Sequence, residues 1–292
     1  MVEKGLKGLK GLEGLKGLEG LEGLEGLEGL EGRQDDDECA GGLQAKTPNG
    51  SGCALMLRRF PVPLLCALVG LVLLLLLPAV LPRFYVYLLS LILVTGLLAT
   101  SLNLVLGYGG MYQFHHAAFY GTGAYAFTLM ITKAHAPFWV ALLAAPLAAT
   151  VLGLLIGAIC VRLSKLYFGM LQISLGSLVW VVVYRWYSFT GGGDGIHGVV
   201  LPDFVSSARG AYLFTVVSVG TCLVVMHRIV GSPFGRIFQA IRDNPGRSEA
   251  IGINVRRHQL AGVVIAAFFA GIAGSLYVVV EGSVVPDLLF WA

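Results

Sequence analysis

Charged residues are scarce in this 292-residue chain, where Asp, Glu, Lys and Arg together make up 13% of the sequence. Soluble domains carry about 25%. Hydrophobic residues make up 56%, and most of the charges after residue 53 lie between long uncharged runs. This composition excludes an ordinary soluble domain and predicts an integral membrane protein.

Cysteine offers no sign of a metal centre or a disulfide framework. The five cysteines lack the close spacing of metal ligands, and Cys66, Cys160 and Cys222 lie in apolar runs, where cysteine behaves as a small hydrophobic residue. The pair His115-His116 has no third candidate ligand nearby in the sequence. We therefore expect no metal site.

Acidic residues are missing from the middle of every predicted span. Ion-coupled carriers commonly place an ionisable group near the bilayer midplane. The sequence therefore disfavours a secondary carrier and offers no enzyme site, so we expect the energy for any transport to come from a partner. The acids after residue 53 are Asp194, Asp203, Asp243, Glu249, Glu281 and Asp287.

The amino-terminal segment lacks the features of a folded domain. Residues 4–32 repeat Lys/Glu-Gly-Leu without proline, so a collagen helix is unsupported, and such a glycine density disfavours an α-helix. The segment also lacks the apolar core of a signal peptide. We predict a disordered, low-complexity tail over residues 1–53, followed by a membrane domain over residues 54–292.

Long uncharged runs predict an all-α, polytopic membrane domain. Runs of about 20 apolar residues can cross a bilayer core of about 30 Å, and the 49 uncharged residues 84–132 are long enough for two spans. Small residues that would let helices pack closely recur at 121, 123 and 124, at 153 and 157, and at 270, 271, 273 and 274. We predict seven spans, at 62–81, two within 84–132 with a break at 107–116, 138–161, 167–186, 211–229 and 259–280.

The basic residues divide unevenly between the two sides. One side receives Arg58, Arg59, Arg162, Lys165, Arg228, Arg236, Arg242, Arg247, Arg256 and Arg257, and the other Arg83, Lys133, Arg185 and Arg209. The positive-inside rule places the first set, the amino terminus and the loop 231–258 in the cytoplasm, and the Gly-rich loop 191–210 outside. This excess of bases indicates membrane topology rather than nucleic-acid binding.

The loop at 231–258, which we call the coupling loop, has more structure than a simple connector needs. Ser232-Pro233 predicts a helix start, and Phe234, Ile237, Phe238 and Ile241 form one apolar helical face. Asn244-Pro245 ends that helix and begins another. One interpretation is a docking surface for a cytoplasmic partner, and the other is a solvated basic loop that only sets topology.

Two polar stretches are candidates for contact with solute. The break at 107–116 and the residues just before it predict a pathway lining made of Ser101, Asn103, Gln113, His115 and His116, although an ordinary loop at the cytoplasmic surface would also fit. The Gly-rich stretch 190–198 lacks the Lys-Ser/Thr of a phosphate-binding loop, so we expect either a flexible outer loop or a plain Gly-rich turn there.

Four motifs occur in one order along the chain, at Ser101–Tyr125, Lys165–Trp180, Phe189–Gly198 (FTGGGDGIHG) and Phe234–Tyr277. Together they resemble the LivM-type permease subunit of branched-chain amino-acid ATP-binding-cassette importers, over most of residues 56–292. The resemblance implies a second permease, two ATPase subunits that bind ATP and Mg²⁺, and a periplasmic amino-acid-binding protein, in the inner membrane. It also implies an ATPase-coupling region formed by Arg242, Asp243, Asn244, Pro245, Arg247, Glu249, Ala250 and Gly252.

The chain departs from the family pattern at both ends. The repeat-rich tail has no counterpart there, and the sequence stops where members of the family continue through further spans, so we expect it to be truncated. Related urea-type permeases share much of the pattern and are an alternative. A carrier or channel that works alone, and a non-functional fragment, are the others.

Overall fold

The structure is a computed structural model that describes residues 81–163 and 165–290, together with Leu74, Leu77 and Pro78. The tail predicted for residues 1–53 lies outside the described residues. So does nearly all of the first predicted span, at 62–81. The phenol of Tyr212 donates a hydrogen bond of 2.8 Å to the Leu74 carbonyl, which is one contact of that span with the bundle.

The described residues are almost wholly helical, as predicted. A π-helix at Leu104–Tyr108 extends the helix at Arg83–Asn103, and 3₁₀ turns cover Gly192–Asp194 and Pro286–Leu289. The two-residue strands β1 (Ile196–His197) and β2 (Ser283–Val284) pair antiparallel, with Ile196 opposite Val284. The α-helices are α1 (Arg83–Asn103), α2 (Ala117–Thr132), α3 (Phe138–Cys160), α4 (Lys165–Arg185), α5 (Tyr187–Thr190), α6 (Asp203–Ser206), α7 (Ala208–Gly231), α8 (Pro233–Asp243), α9 (Pro245–Ala250) and α10 (Val255–Glu281).

Five of these helices are long and apolar enough to cross a membrane, namely α1 with its π-helical extension, α3, α4, α7 and α10. Their bounds agree with the predicted spans to within a few residues. The predicted count of seven spans is not confirmed. The helix α2 has 16 residues, or roughly 24 Å at 1.5 Å per residue, which is shorter than a bilayer core of about 30 Å.

The bundle has two distinct ends. At one end, which we call the basic end, α7 leads into α8 and α9, and α1 finishes nearby. At the opposite end, Tyr87 near the start of α1 donates a hydrogen bond to the Glu281 carboxylate, and the Lys133 ammonium donates one of 2.7 Å to the Ser188 carbonyl. The described basic residues therefore fall on the two ends in the partition that the sequence predicted.

The last long helix, α10, is the centre of the packing. Its small residues let α2 and α3 approach its backbone: a Cβ on Gly123 would lie 2.5 Å from the Gly271 Cα, and one on Gly153 would lie 2.5 Å from the Ala267 Cβ. Close contact of this kind replaces the hydrophobic driving force between helices in lipid. The predicted packing role of the small residues is confirmed.

Candidate functional site

Two short helices in the coupling loop begin at the predicted caps. The Ser232 hydroxyl accepts a hydrogen bond of 3.4 Å from the Gly235 amide, and Pro233 is the first residue of α8. The Asn244 side chain accepts one of 2.9 Å from the Arg247 amide, and Pro245 is the first residue of α9. Each cap satisfies a backbone amide that the helix itself leaves unpaired. The predicted corner at Asn244-Pro245 is confirmed.

The apolar face of α8 lies against the bundle. Phe238 and Ile241 are fully buried, and the Phe234 ring stacks on the rings of Phe238 and His258, at centroid distances of 5.6 Å and 6.0 Å. The arginines of the loop are exposed. This helix is therefore packed on one face and open on the other, unlike a wholly solvated connector.

The Phe238 ring fits between two glycines on different elements. A Cβ on Gly109, at the end of the π-helix, would collide with the ring, and so would a Cβ on Gly262, in α10. Any larger residue at either position would displace the ring. One side chain of α8 therefore contacts both the break and the central helix.

Arg242 makes a second connection from α8 to the break. Its guanidinium donates a hydrogen bond of 2.7 Å to the Gly107 carbonyl and one of 3.2 Å to Asp243. Its aliphatic stem lies over Gly110, whose φ of +62° is a left-handed value that favours glycine. A cation at the carbonyl end of a helix is stabilised by the free carbonyls and by the helix dipole.

The other predicted coupling residues lie at the surface. Arg247, Glu249 and Ala250 are exposed on α9, and Gly252 follows with φ +88°, its amide donating a 2.9 Å hydrogen bond to the Glu249 carbonyl. Asp243, Asn244 and Pro245 are also exposed. The set thus forms one continuous patch at the basic end, with charges of both signs available to a partner.

The break itself is built around a buried histidine. The Ser101 hydroxyl donates to the Leu98 carbonyl at 2.7 Å, so His116 Nε2–H must donate to Ser101 Oγ, also at 2.7 Å. His116 Nδ1 then accepts from the Gln113 amide nitrogen at 2.8 Å. This tautomer follows from the hydrogen-bond network. The three polar side chains hold the irregular segment against the end of α1.

The remaining two predicted pathway residues lie apart from this network. The His115 ring is buried against Gly176 in the middle of α4, where a Cβ on the glycine would collide with it. Asn103 is exposed at the end of α1, with its amide against Gly107. The structure therefore brings together Ser101, Gln113 and His116, places His115 deeper, and turns Asn103 outward. A role for the five in a solute pathway stays a prediction.

Replacing Ser101 by alanine should destabilise the break. It would leave the buried His116 Nε2–H without an acceptor, which costs about 1–3 kcal/mol of unfolding free energy. Thermal unfolding of the purified protein in detergent measures this, with Thr95→Ala as the control, because Thr95 is exposed and bonds only within its own helix. Equal unfolding temperatures for the two variants would contradict the network.

The Gly-rich stretch at the opposite end forms a compact turn. Thr190 Oγ donates a 2.6 Å hydrogen bond to the Val183 carbonyl, and the His197 ring lies 2.8 Å from the Asp194 carbonyl. The strand β1 that follows pairs with β2 just after α10. Through this pairing, the turn holds the start of the segment 283–290, which follows α10 and packs back against the bundle.

Sequence reasoning missed two parts of the site. The first is that returning segment, which places Leu289 against Gly121 near the start of α2. The second is Gln172, which is buried in α4 with no hydrogen-bond partner for either amide atom in the described part of the chain. The sequence does contain a signal for Gln172, because an amide side chain within the uncharged run 166–184 indicates a polar contact inside the bundle.

Comparison with known proteins agrees with this membrane architecture. A family model described as "Branched-chain amino acid transport system / permease component" matches residues 84–292. The chain is 28% identical over 223 residues to the "High-affinity branched-chain amino acid transport system permease protein LivM" of Escherichia coli (strain K12), covering 67% of this chain and 52% of that protein. The corresponding protein of Salmonella typhimurium is 27% identical over the same shares of both chains.

A more distant relative is the "Probable branched-chain amino acid transport permease protein LivM" of Methanocaldococcus jannaschii, which is 26% identical over 47% of this chain and 41% of its own length. The chain thus spans about half the length of the Escherichia coli and Salmonella typhimurium proteins, and less than half the length of the Methanocaldococcus jannaschii protein. No solved structure is significantly similar to it.

Proposed function

Because the chain belongs to the branched-chain amino acid transport system permease family, we propose that it is the membrane-spanning subunit of an ATP-binding-cassette importer for branched-chain and other hydrophobic amino acids. It is a multi-pass membrane protein. In this proposal it has no catalytic activity, and ATP and Mg²⁺ bind to separate ATPase subunits. It lies in the inner membrane with its amino terminus in the cytoplasm, beside a second, homologous permease.

The observation that carries the proposal is the double contact of α8 with the break. Phe238 fits between Gly109 and Gly262, and Arg242 bonds the Gly107 carbonyl. A displacement of α8 would therefore reach the irregular backbone of the break and the central helix directly. Discrete packing contacts such as these carry energetic coupling between distant sites.

The exposed patch on α9 supports an ATPase as the partner at this end. It presents Arg247 and Glu249 to solvent, next to the capped corner at Asn244. Both helices are short and begin at hydrogen-bonded caps, so a partner that displaces one end would move each helix as a rigid unit. The excess of bases at this end supports its cytoplasmic location.

In the proposed mechanism, ATP binding closes the two ATPase subunits and moves α8 and α9 with them. Phe238 and Arg242 pass that movement to the break and to α10. The pathway then opens toward the outside, where the periplasmic binding protein delivers its amino acid. ATP hydrolysis restores the starting arrangement.

The test is the double substitution Arg242→Glu with Gly252→Trp in the reconstituted complex of both permeases, the ATPases and the binding protein. The first change places a carboxylate against the Gly107 carbonyl, and the second forces a bulky residue into a left-handed backbone. We expect substrate-dependent ATP hydrolysis to fall about 5- to 150-fold, the usual range of coupling between sites. Arg209→Glu at the opposite end is the control, and wild-type hydrolysis in the double variant would refute the proposal.

A further inference from the structure

An apolar groove opens on the surface of the bundle between α3, α7 and α10. Its volume is about 300 Å³, and its lining includes Val225 and Ile229 of α7 and Val264 of α10. The polar member of the lining is Thr150 of α3, whose hydroxyl donates a 2.6 Å hydrogen bond to a backbone carbonyl one turn earlier in the same helix. The described lining therefore offers an occupant apolar contact and no free hydrogen-bonding group.

The size of this groove indicates what kind of molecule fits it. One turn of an α-helix with its side chains is about 10 Å across and 5.4 Å long, which corresponds to roughly 400 Å³. The groove is therefore too small to hold another helix. All three of its walls belong to helices that are long and apolar enough to cross a membrane, and Val225 is 43% exposed on that surface. A thinner apolar chain from the bilayer, namely the acyl chain of a phospholipid, suits both its size and its position.

Two arginines lie toward the basic end of the groove. Arg257 precedes Val264 by seven residues, which places it on the same side of α10 and about 10 Å nearer the basic end. Arg228 follows Val225 by three residues and neighbours Ile229, so it lies beside the groove on α7. Arg228 is in the last turn of α7 and Arg257 in the first turn of α10. At such helix ends an arginine covers apolar surface with its stem and keeps its guanidinium at the level of the lipid headgroups.

Neither of these guanidinium groups has an acidic partner among the described residues. Both arginines are exposed, and residues 228–258 contain six arginines and two acids. One of those acids, Asp243, pairs with Arg242 at 3.2 Å, and the other, Glu249, lies on α9. A guanidinium group binds phosphate oxygens in a bidentate manner, and basic pockets between membrane helices bind anionic lipid headgroups. The charge at this end of the groove thus complements a phosphate group.

We propose that the groove binds one anionic phospholipid, with an acyl chain between α3, α7 and α10 and the phosphate group beside Arg228 and Arg257. Any phospholipid can supply the acyl chain, so the two arginines give the site its preference for a headgroup of net negative charge. The coupling loop leaves α7 and enters α10 at these same two arginines, and the bound lipid would hold its two ends together. This inference depends on the membrane location of the helices and not on the solute or the partners of the proposed function.

The first experiment titrates the full-length protein in detergent with phosphatidylglycerol or phosphatidylcholine and counts bound lipids by native mass spectrometry. We expect the wild type to bind one phosphatidylglycerol in preference to phosphatidylcholine. Arg228→Gln combined with Arg257→Gln should weaken the binding of phosphatidylglycerol about 30-fold, given the usual contribution of two basic residues at a bilayer surface. Arg185→Gln combined with Arg209→Gln removes the same charge from the opposite end and should bind like the wild type. Equal affinities of the two double variants would overturn the proposal.

The second experiment tests the groove itself. Val264→Trp keeps both arginines and places an indole where the acyl chain would lie, so phosphatidylglycerol should bind more weakly and should no longer raise the unfolding temperature as it does for the wild type. Val217→Trp, at an exposed position of α7 outside the lining, is the control. Wild-type lipid binding by the Val264→Trp variant would overturn the proposal. So would crosslinking of an Ile265→Cys variant to a second permease, because a protein partner would then cover the groove.

Discussion

Replacing Gly274 by valine will prevent the bundle from forming. A Cβ at this position of α10 would collide with the Tyr120 carbonyl and lie 2.8 Å from the Ala124 amide nitrogen. Both are backbone atoms of α2, so no side-chain rotation can relieve the overlap, and the two helices must separate. Their separation would also break the neighbouring contact between Gly123 and Gly271. We expect the loss of several kcal/mol of folding free energy, in the upper range for single substitutions.

The measurement is the amount of folded protein extracted from membranes and its unfolding temperature in detergent. The matched control is Gly220→Val in α7, because a Cβ on Gly220 meets nothing within 4 Å. Both changes introduce the same β-branched residue into a long apolar helix, so they differ chiefly in packing. Normal yield of the Gly274→Val variant would show that α2 and α10 do not cross as described.

Replacing Phe238 by alanine will uncouple the coupling loop from the break. The ring is fully buried between Gly109 and Gly262, so its removal leaves a cavity, and such changes cost about 3–5 kcal/mol in folding free energy. Part of the lost free energy comes from the contact between Phe238 and the break, through which α8 would move the break. We expect ATP-driven import and the substrate-dependent part of ATP hydrolysis each to fall about tenfold or more, while basal ATP hydrolysis by the partner subunits continues.

Two variants separate this effect from general destabilisation. Phe268→Ala removes a ring of the same size from the outer face of α10, where the side chain is 36% exposed, and should import normally. Phe238→Leu keeps part of the contact and should give intermediate import. If Phe238→Ala imports as fast as the wild type, α8 does not act through this ring.

The sequence predicted local features well because their causes are local. The positions of α3, α4, α7 and α10 follow, to within a few residues, from uncharged runs of about 20 residues, and the corner in the coupling loop follows from Ser232-Pro233 and Asn244-Pro245. The break before α2 was also predictable from the glycines at 107, 109 and 110 and the polar residues after them, although the helix continues as a π-helix to Tyr108. These signals need no knowledge of the rest of the chain.

The missing parts depend on contacts between distant residues. The insertion of Phe238 between Gly109 and Gly262 joins three separate segments, and the contact of Leu289 with Gly121 joins residues 168 positions apart. The five predicted pathway residues do not form one group in the structure. Ser101 and His116 bond to each other and stabilise the break, whereas Asn103 faces outward. Spacing along the sequence contains none of this information.

The most direct test of the account is chemical crosslinking from the coupling loop in the reconstituted complex. A cysteine-free chain carrying Arg247→Cys is treated with a short bifunctional reagent, and Asp194→Cys in the opposite turn is the control. Both positions are exposed. We expect Arg247→Cys to crosslink to an ATPase subunit, with a yield that changes on ATP binding, and Asp194→Cys to crosslink to none. Crosslinking of an ATPase from position 194 instead of 247 would contradict the proposed coupling role.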